Sequence, residues 1–374
     1  MSLTIKIPAI AAKSYQIHLE PDLLAQLPQK LTAFSGFSRI VIITDQTVKK
    51  YYAQTLLKIL KTQNTPTFLY DFPAGEKYKT IKTKQKLENQ MLKAGLGRDT
   101  LCLAVGGGVV GDMTGFIAAT YMRGIPYIQV PTTLLAMVDS SVGGKTGINT
   151  PYGKNLLGAF WQPLAVFADL NCLNTLPLPQ RVNGLIEAAK IFLTHDAKYF
   201  GYLETHLSKI LSGDVKLLGK IIKRAVYWKA KVVKQDPHEK NLRSVLNFGH
   251  TIGHALEQVS NYKLLHGYAV GYGILIEAKM SQHLGILPAQ DYQRIIDFFA
   301  KLEITARDLK KIPVKKILQT TKIDKKATAE GVKYVLLKQI GQYYHEQDQV
   351  AQLVADSVVA SAFRSIEREI NVRQ

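Results

Sequence analysis

Between Asn241 and Glu277 the chain reads NLRSVLNFGHTIGHALEQVSNYKLLHGYAVGYGILIE. The stretch holds three histidines, His250, His254 and His266, with Arg243 and Asn247 a short way upstream. On one continuous helix the spacings from Arg243 to Asn247, His250 and His254 would put all four on a single face. A guanidinium, an amide and two imidazoles on one stripe could hold a metal ion beside an anionic ligand. Two histidines a helical turn apart also occur without any metal, so the pattern needs company. Gly249 and Gly253 weaken a helix by about 1 kcal/mol each. Close approach to a ligand or to another helix would explain them.

Company comes from upstream. GLIEAAKIFL is apolar except for Glu187 and Lys190, and charge buried among apolar residues costs free energy unless something compensates. A metal on Glu187 would be such compensation. Glu187, His250 and His266 form a mixed oxygen and nitrogen donor set of the kind that leaves a catalytic metal open to substrate. Lys229 and Lys231, in YWKAKVVKQD, are weaker candidates, because a solvated helix lysine is the ordinary case.

The elements that must position these groups fall into two halves. RIVIIT (39–44), PTFLYD (66–71), LCLAVGG (101–107), IPYIQVP (125–131) and LAVFADL (164–170) are short apolar runs separated by helical patterns. That alternation predicts a parallel α/β sheet. After the third run comes GGGVVGD, with Gly106, Gly107, Gly108, Gly111 and Asp112, and then an apolar helix. Glycines joining a buried strand to a helix let backbone amides approach a phosphate. Asp45, ending the first of these strands, is placed to accept from a ribose hydroxyl, which suggests a dinucleotide. From 131 to 163 the chain is dense in glycine and polar residues and reads as a long functional loop. Its members of interest are Asp139, Lys145, Lys154 and Asn155, and the two lysines, joined by Arg123, would make a cradle for an anion. Near residue 178 the β-rich pattern stops and helices take over. The expected domains are therefore 1–178, an α/β dinucleotide-binding domain, and 179–374, a mostly α-helical metal-binding domain. Within the second, 324–341 reads as a loop and then a strand or hairpin, and 347–370 as an amphipathic helix.

Composition narrows the function. The 374 residues carry 47% hydrophobic and 21% charged side chains, ordinary for a globular protein. Cys102 and Cys172 sit in apolar runs with no framework spacing, which fits a reducing cytoplasm better than a disulfide. The start of the chain lacks the apolar core of a signal peptide, and no run approaches the ~18 apolar residues of a membrane span. The net charge of +19 is spread along the chain. Without a basic cluster or an interleaved aromatic signature it points to a small anionic substrate rather than nucleic acid. A metal that polarises a hydroxyl, a nicotinamide and phosphate-binding lysines make one apparatus for a phosphorylated polyol or sugar acid. Spacing alone does not separate net oxidation from transient use of the nicotinamide.

The ordered segments PAGEKYKT, GGGVVGD, YMRG, VPTTLLAMVDSSVGGKTGIN, GKNLLGAF, LNFGHTIGHALE, LHG and DKK, with the Glu187–Lys190 segment, resemble the 3-dehydroquinate synthase family. The resemblance implies NAD and a zinc ion, for which cobalt can substitute, at a site between the two domains of a homodimer. It implies conversion of 3-deoxy-D-arabino-heptulosonate 7-phosphate to 3-dehydroquinate and phosphate. Glu187, His250 and His266 would hold the zinc. Asp139, Lys145, Asn155, Lys190, Lys229, Arg243, Asn247, His254 and Lys326 would meet the substrate, with Arg123 reaching a phosphate in the neighbouring subunit. Asp45, Glu76, Lys77, Gly107, Gly108, Gly111, Asp112, Thr132, Thr133, Lys145 and Lys154 would meet the cofactor.

Two departures mark this sequence. Tyr268 stands where the family usually has a glutamate after LHG, which puts the groups around the ligand imidazoles in question. The wording around Glu187 also differs, with both charges kept. A sister cyclase acting on another sugar phosphate is one alternative, since single pocket contacts set specificity. It is disfavoured because Lys229, Arg243, Asn247 and Lys326 are retained. A non-enzymatic basic binding module is a second, though it would need no intact metal set, and a metal-dependent polyol dehydrogenase is a third. The glutamate donor and the phosphate-binding lysines argue against the last.

Overall fold

The computed structural model describes residues 14–63, 65–304, 309, 312–322, 327–328 and 331–372. Its first half contains β1 (Gln16–Glu20), β2 (Arg39–Asp45), β3 (Thr67–Phe72), β4 (Thr100–Gly106), β5 (Tyr127–Pro131), β6 (Lys145–Thr150), β7 (Gly153–Phe160) and β8 (Ala165–Asp169). All but β6 and β7 join one sheet in the order β1-β8-β5-β4-β2-β3. Every pairing in it is parallel. The helices α1 (Leu23–Leu31), α2 (Gln54–Lys61), α3 (Ile81–Lys93) and α4 (Gly108–Thr120) cover its two faces.

The strand sequences explain this layering. In β2, Ile40 and Ile42 face one helical layer with Leu27 and Leu56, while Val41 and Ile43 face the other with Met91 and Ile117. A strand buried on both faces must be apolar throughout, as β4 is. From β2 the sheet grows in opposite directions to β3 and to β4. The carboxyl ends of β2 and β4, at Asp45 and Gly106, therefore flank a crevice of the kind that binds ligands in open α/β sheets.

Two sequence expectations change here. The sheet has a further strand, β1, whose QIHLE sequence lies half exposed at the edge. The 131–163 stretch is not a long loop. It makes a wide helical turn over Ala136–Ser140 and then the antiparallel hairpin of β6 and β7. Gly147 and Gly158 lie against each other across the hairpin, where a Cβ on Gly158 would fall 2.0 Å from the Thr146 carbonyl oxygen. The glycines that made the segment read as loop are what lets its strands meet.

The second half is helical: α5 (Leu178–His195), α6 (Ala197–Ser212), α7 (Val215–Gln235), α8 (His250–Val259), α9 (His266–His283), α10 (Ala289–Ala300), α11 (Val314–Thr321) and α12 (Asp356–Val372). Residues 181–194 of α5 are buried all round, so this helix is the centre of the domain. The last helix begins at Asp356 rather than near 347, because Ala351–Leu353 pairs instead with the strand Gly331–Val335. Lys325 and Lys326 lie outside the described residues. Both cysteines are free and buried. Among the described residues no helix is long and apolar enough to cross a membrane.

Candidate active site

The histidine stripe is built from two elements, not one. Leu242–Asn247 is a separate tight helical turn, the chain extends at Phe248, and Gly249 turns left-handed at φ 78° before α8 starts at His250. Arg243 and Asn247 therefore do not share the face of α8. Gly249 and Gly253 serve a helix crossing. A Cβ on Gly273 of α9 would fall 1.8 Å from the Gly249 carbonyl oxygen, and one on Gly253 would come 3.1 Å from Val270.

That crossing brings the first residue of each helix, His250 and His266, to the fully buried Glu187 of α5. Glu187 Oε1 lies 3.7 Å from His250 Nε2 and 3.5 Å from His266 Nε2. These separations are long for hydrogen bonds. They suit donors around one tetrahedral zinc, which sit about 3.4 Å apart at zinc's bond lengths. Oε2 instead accepts Lys190 Nζ at 2.5 Å. Lys190 thus offsets part of the buried charge, and Oε1, which has no hydrogen-bond donor, is left facing the imidazoles. The distal ring nitrogens are also held: His250 Nδ1 lies 3.3 Å from the Phe248 carbonyl and His266 Nδ1 lies 3.2 Å from Glu257 Oε2. Such partners orient ligand imidazoles. Burial alone would lower the His266 pKa, but Glu257 and Glu187 outweigh it and push it up to about 10. A negative field of this kind suits a bound cation, and the three donors fit a divalent metal.

Beside this centre stand the buried cations Lys229 and Arg243 and the more exposed Lys145. Lys229 Nζ donates to Asp139 Oδ1 and to the Asp139 carbonyl, both at 2.5 Å. Burial would raise the Asp139 carboxyl, yet Lys229 and Lys190 hold it well below the usual carboxylate range. Lys145 donates to Glu239 Oε2. The other oxygen of Glu239 accepts Asn247 Nδ2 at 2.6 Å. Burial lowers both Lys145 and Lys229 despite these carboxyl groups. Arg243 reaches the Pro237 carbonyl at 2.6 Å and the Gly143 carbonyl at 3.2 Å. His254 packs against both imidazoles, with ring centroids 5.3 Å from His250 and 6.0 Å from His266.

On the sheet side, the carboxyl-end crevice holds the expected cofactor positions. Asp45 Oδ1 accepts the Thr47 and Val48 amides at 2.8 and 2.9 Å, so it also caps the helical turn that follows β2. Gly107 and Gly108 open α4, where Gly107 abuts Thr133 and Gly108 abuts Ser140. The Thr132 amide donates to the Gly106 carbonyl. Gly111 turns toward the sheet, where a Cβ would lie 2.6 Å from Gln129 Oε1, so its place has a packing reason. Lys77 is exposed over the ring of Tyr78. Lys79, absent from the sequence reading, is the buried one. It joins Asp112 Oδ2 and Asn155 Oδ1, each at 2.5 Å. Glu76 accepts Asn149 at 2.8 Å and lies 3.7 Å from Lys154.

Arg123 stands apart. It is exposed and follows Met122 at left-handed φ angles of 67° and 49°, with no ion pair among the described residues. Tyr268 is half-buried and packs on the helical core. The residues missed from sequence, Lys79, Glu239 and Glu257, each have at least one partner far away in the chain. Glu257 had one usable signal, an acid near the end of the histidine helix.

Comparison with known proteins agrees with this geometry. Residues 69–183 match the family described as 3-dehydroquinate synthase N-terminal, and 184–327 the one described as 3-dehydroquinate synthase C-terminal. A 3-dehydroquinate synthase of Acidithiobacillus ferrooxidans is 42% identical over 89% of this chain and 91% of its own. A solved 2-epi-5-epi-valiolone synthase from Streptomyces hygroscopicus, with NAD+ and Zn2+ bound, superposes with a TM-score of 0.84 at 27% identity, over 98% of this chain and 100% of that one. A 2-deoxy-scyllo-inosose synthase complexed with carbaglucose-6-phosphate, NAD+ and Co2+ gives 0.83 at 25%, over 93% and 96%. Matched in both halves by one family's profiles, this chain belongs to the 3-dehydroquinate synthase family.

Proposed function

We propose that this chain converts 3-deoxy-D-arabino-heptulosonate 7-phosphate to 3-dehydroquinate and phosphate, using NAD and a divalent metal such as zinc or cobalt. The observation that carries this reading is Glu187 Oε1, buried and aimed at two imidazole nitrogens, in a site that also holds the buried cations Lys190, Lys229 and Arg243. Glu187, His250 and His266 would hold the metal, and the β2–β4 crevice with Asp45, Gly107 and Gly108 would hold the cofactor. Bound there, the metal supplies Lewis acidity at substrate hydroxyls and the nicotinamide supplies reversible hydride acceptance.

The chain's own residues do the rest. Lys145, Lys229 and Arg243 present cationic donors to the substrate carboxylate and phosphate. Their fixed carboxyl and carbonyl partners keep them in place before substrate arrives, so little reorganisation is needed. Lys190 and Asn155 border the reacting carbons. His254, packed on both ligand rings, is placed to hold a proton during phosphate elimination and ring closure. Oxidation and reduction cancel within one turnover, so phosphate leaves without net consumption of nicotinamide.

A homodimer fits two further features. The β6–β7 hairpin presents exposed Leu156, Leu157 and Phe160. Arg123 is exposed and sits on consecutive left-handed residues, a strain that accumulates at functional positions. A twin chain pairing through the hairpin could receive it at a substrate phosphate. Substrate choice is tested by offering the heptulosonate phosphate and glucose 6-phosphate in parallel. Dehydroquinate from the first and no cyclitol from the second is expected, whereas the reverse would move the chain to a sister cyclase.

A further inference from the structure

Glu257 is almost wholly buried, and its two oxygens face two different domains. Oε2 meets His266 Nδ1 at 3.2 Å, while Oε1 accepts Lys154 Nζ at 2.6 Å. His266 begins a helix of the second domain, whereas Lys154 lies on the β6–β7 hairpin of the first. Lys154 also stands 3.7 Å from Glu76, beside the expected cofactor crevice. Tyr268, which replaces the acid usual after LHG, packs on the core and supplies no carboxylate.

We propose that Glu257 is the positioning residue of the metal centre, and that Lys154 holds it in place from the other domain. Metal affinity in the helical half then depends on a cation of the α/β half. This inference rests on the ligand set assigned above. An N–H of His266 given to a carboxylate fixes the tautomer, so the Nε2 lone pair points toward Glu187. The same bond raises the basicity of the ring as a ligand. A buried carboxylate that also faced no cation would be costly to keep, and Lys154 removes that cost without competing for the imidazole. Because binding energies are reciprocal, whatever draws Lys154 toward Glu76 must also alter metal affinity.

The test measures zinc affinity of the full-length chain by chelator competition, and the visible absorption of its cobalt-loaded form. Glu257→Gln should weaken zinc by about 10–100-fold, the usual cost of losing such a partner, and shift the cobalt bands. Glu257→Asp should restore part of both and guards against a folding artefact. Lys154→Met should weaken zinc several-fold, and the double variant should bind no more weakly than Glu257→Gln alone. Fully additive losses would overturn the link to Lys154. Wild-type zinc affinity and an unchanged cobalt spectrum in Glu257→Gln, with zinc lost in His266→Ala, would overturn the role of Glu257 alone. Zinc retained in His266→Ala would overturn the ligand assignment and this inference with it.

Discussion

Glu277, deep in α9, accepts the backbone N–H of Gly249 at 2.6 Å and so holds the start of the helix whose first residue is His250. The arrangement is reciprocal, since Glu257 of α8 reaches back to His266 at the start of α9. Helix N-termini carry unsatisfied amides and a partial positive charge. One buried acid satisfies the backbone at the start of α8 and the other holds the imidazole at the start of α9, and that fixes where both imidazoles stand. Glu277→Ala should lower the unfolding free energy of the metal-free protein by about 2–4 kcal/mol, from a lost partner plus a cavity. Glu277→Gln, which still offers an oxygen, should cost about 1 kcal/mol. Urea denaturation of both variants checks the ordering.

The same crossing makes glycine obligatory. A Cβ at Gly273 would lie 1.8 Å from the Gly249 carbonyl oxygen, with backbone rather than a flexible side chain as the obstacle. Gly273→Ala should destabilise by about 3 kcal/mol or more and weaken metal binding as the helices part. Gly201→Ala, on α6 with only the Glu204 carboxyl near at 3.9 Å, should be neutral or stabilise by up to about 1 kcal/mol. Thermal melts of the pair separate close packing from helix propensity.

Lys79 connects the cofactor crevice to the hairpin through Asp112 and Asn155. Burial pushes the Asp112 carboxyl up, and Lys79 opposes that rise. Lys79→Met leaves Asp112 buried with its cation gone. NAD affinity, read by fluorescence titration, should fall at least about tenfold, in line with breaking a buried charged pair. Lys77→Met, at an exposed position, should change it less than about threefold.

His195 gives the acid side of the stability profile a sign. Burial pushes its pKa down from 6.5 to about 4, in a contact with Thr194 and the rings of Trp228 and Tyr343. The unfolded chain takes up this proton below pH 6.5, while the folded chain resists until about pH 4. Stability is therefore unaffected by His195 above the first value and falls as pH drops between the two. The loss should be roughly 1–3 kcal/mol. Denaturation across that range should show a shallower slope in His195→Gln.

Much of this was legible in the chain because it depends on local pattern. Apolar runs such as those of β2 and β4 can only be strands buried on both faces, and a charged pair like Glu187–Lys190 in an apolar helix demands partners. The rest depends on packing between distant segments. The hairpin escaped notice because its glycines mimic loop, and β1 because an edge strand need bury only one face. Glu239, Glu257 and Glu277 each look like solvated helix charge until another element closes over them. Reading 243 to 254 as one helix failed at Gly249, whose left-handed turn lets α8 begin at His250.

The most direct measurement follows phosphate and reduced nicotinamide together, in one reaction containing the heptulosonate phosphate, zinc and a trace of NAD. Many phosphates released per nicotinamide, with dehydroquinate formed and no NADH accumulating, is the expected result. NADH building up as substrate disappears, or no phosphate released while zinc and NAD are bound, would contradict it.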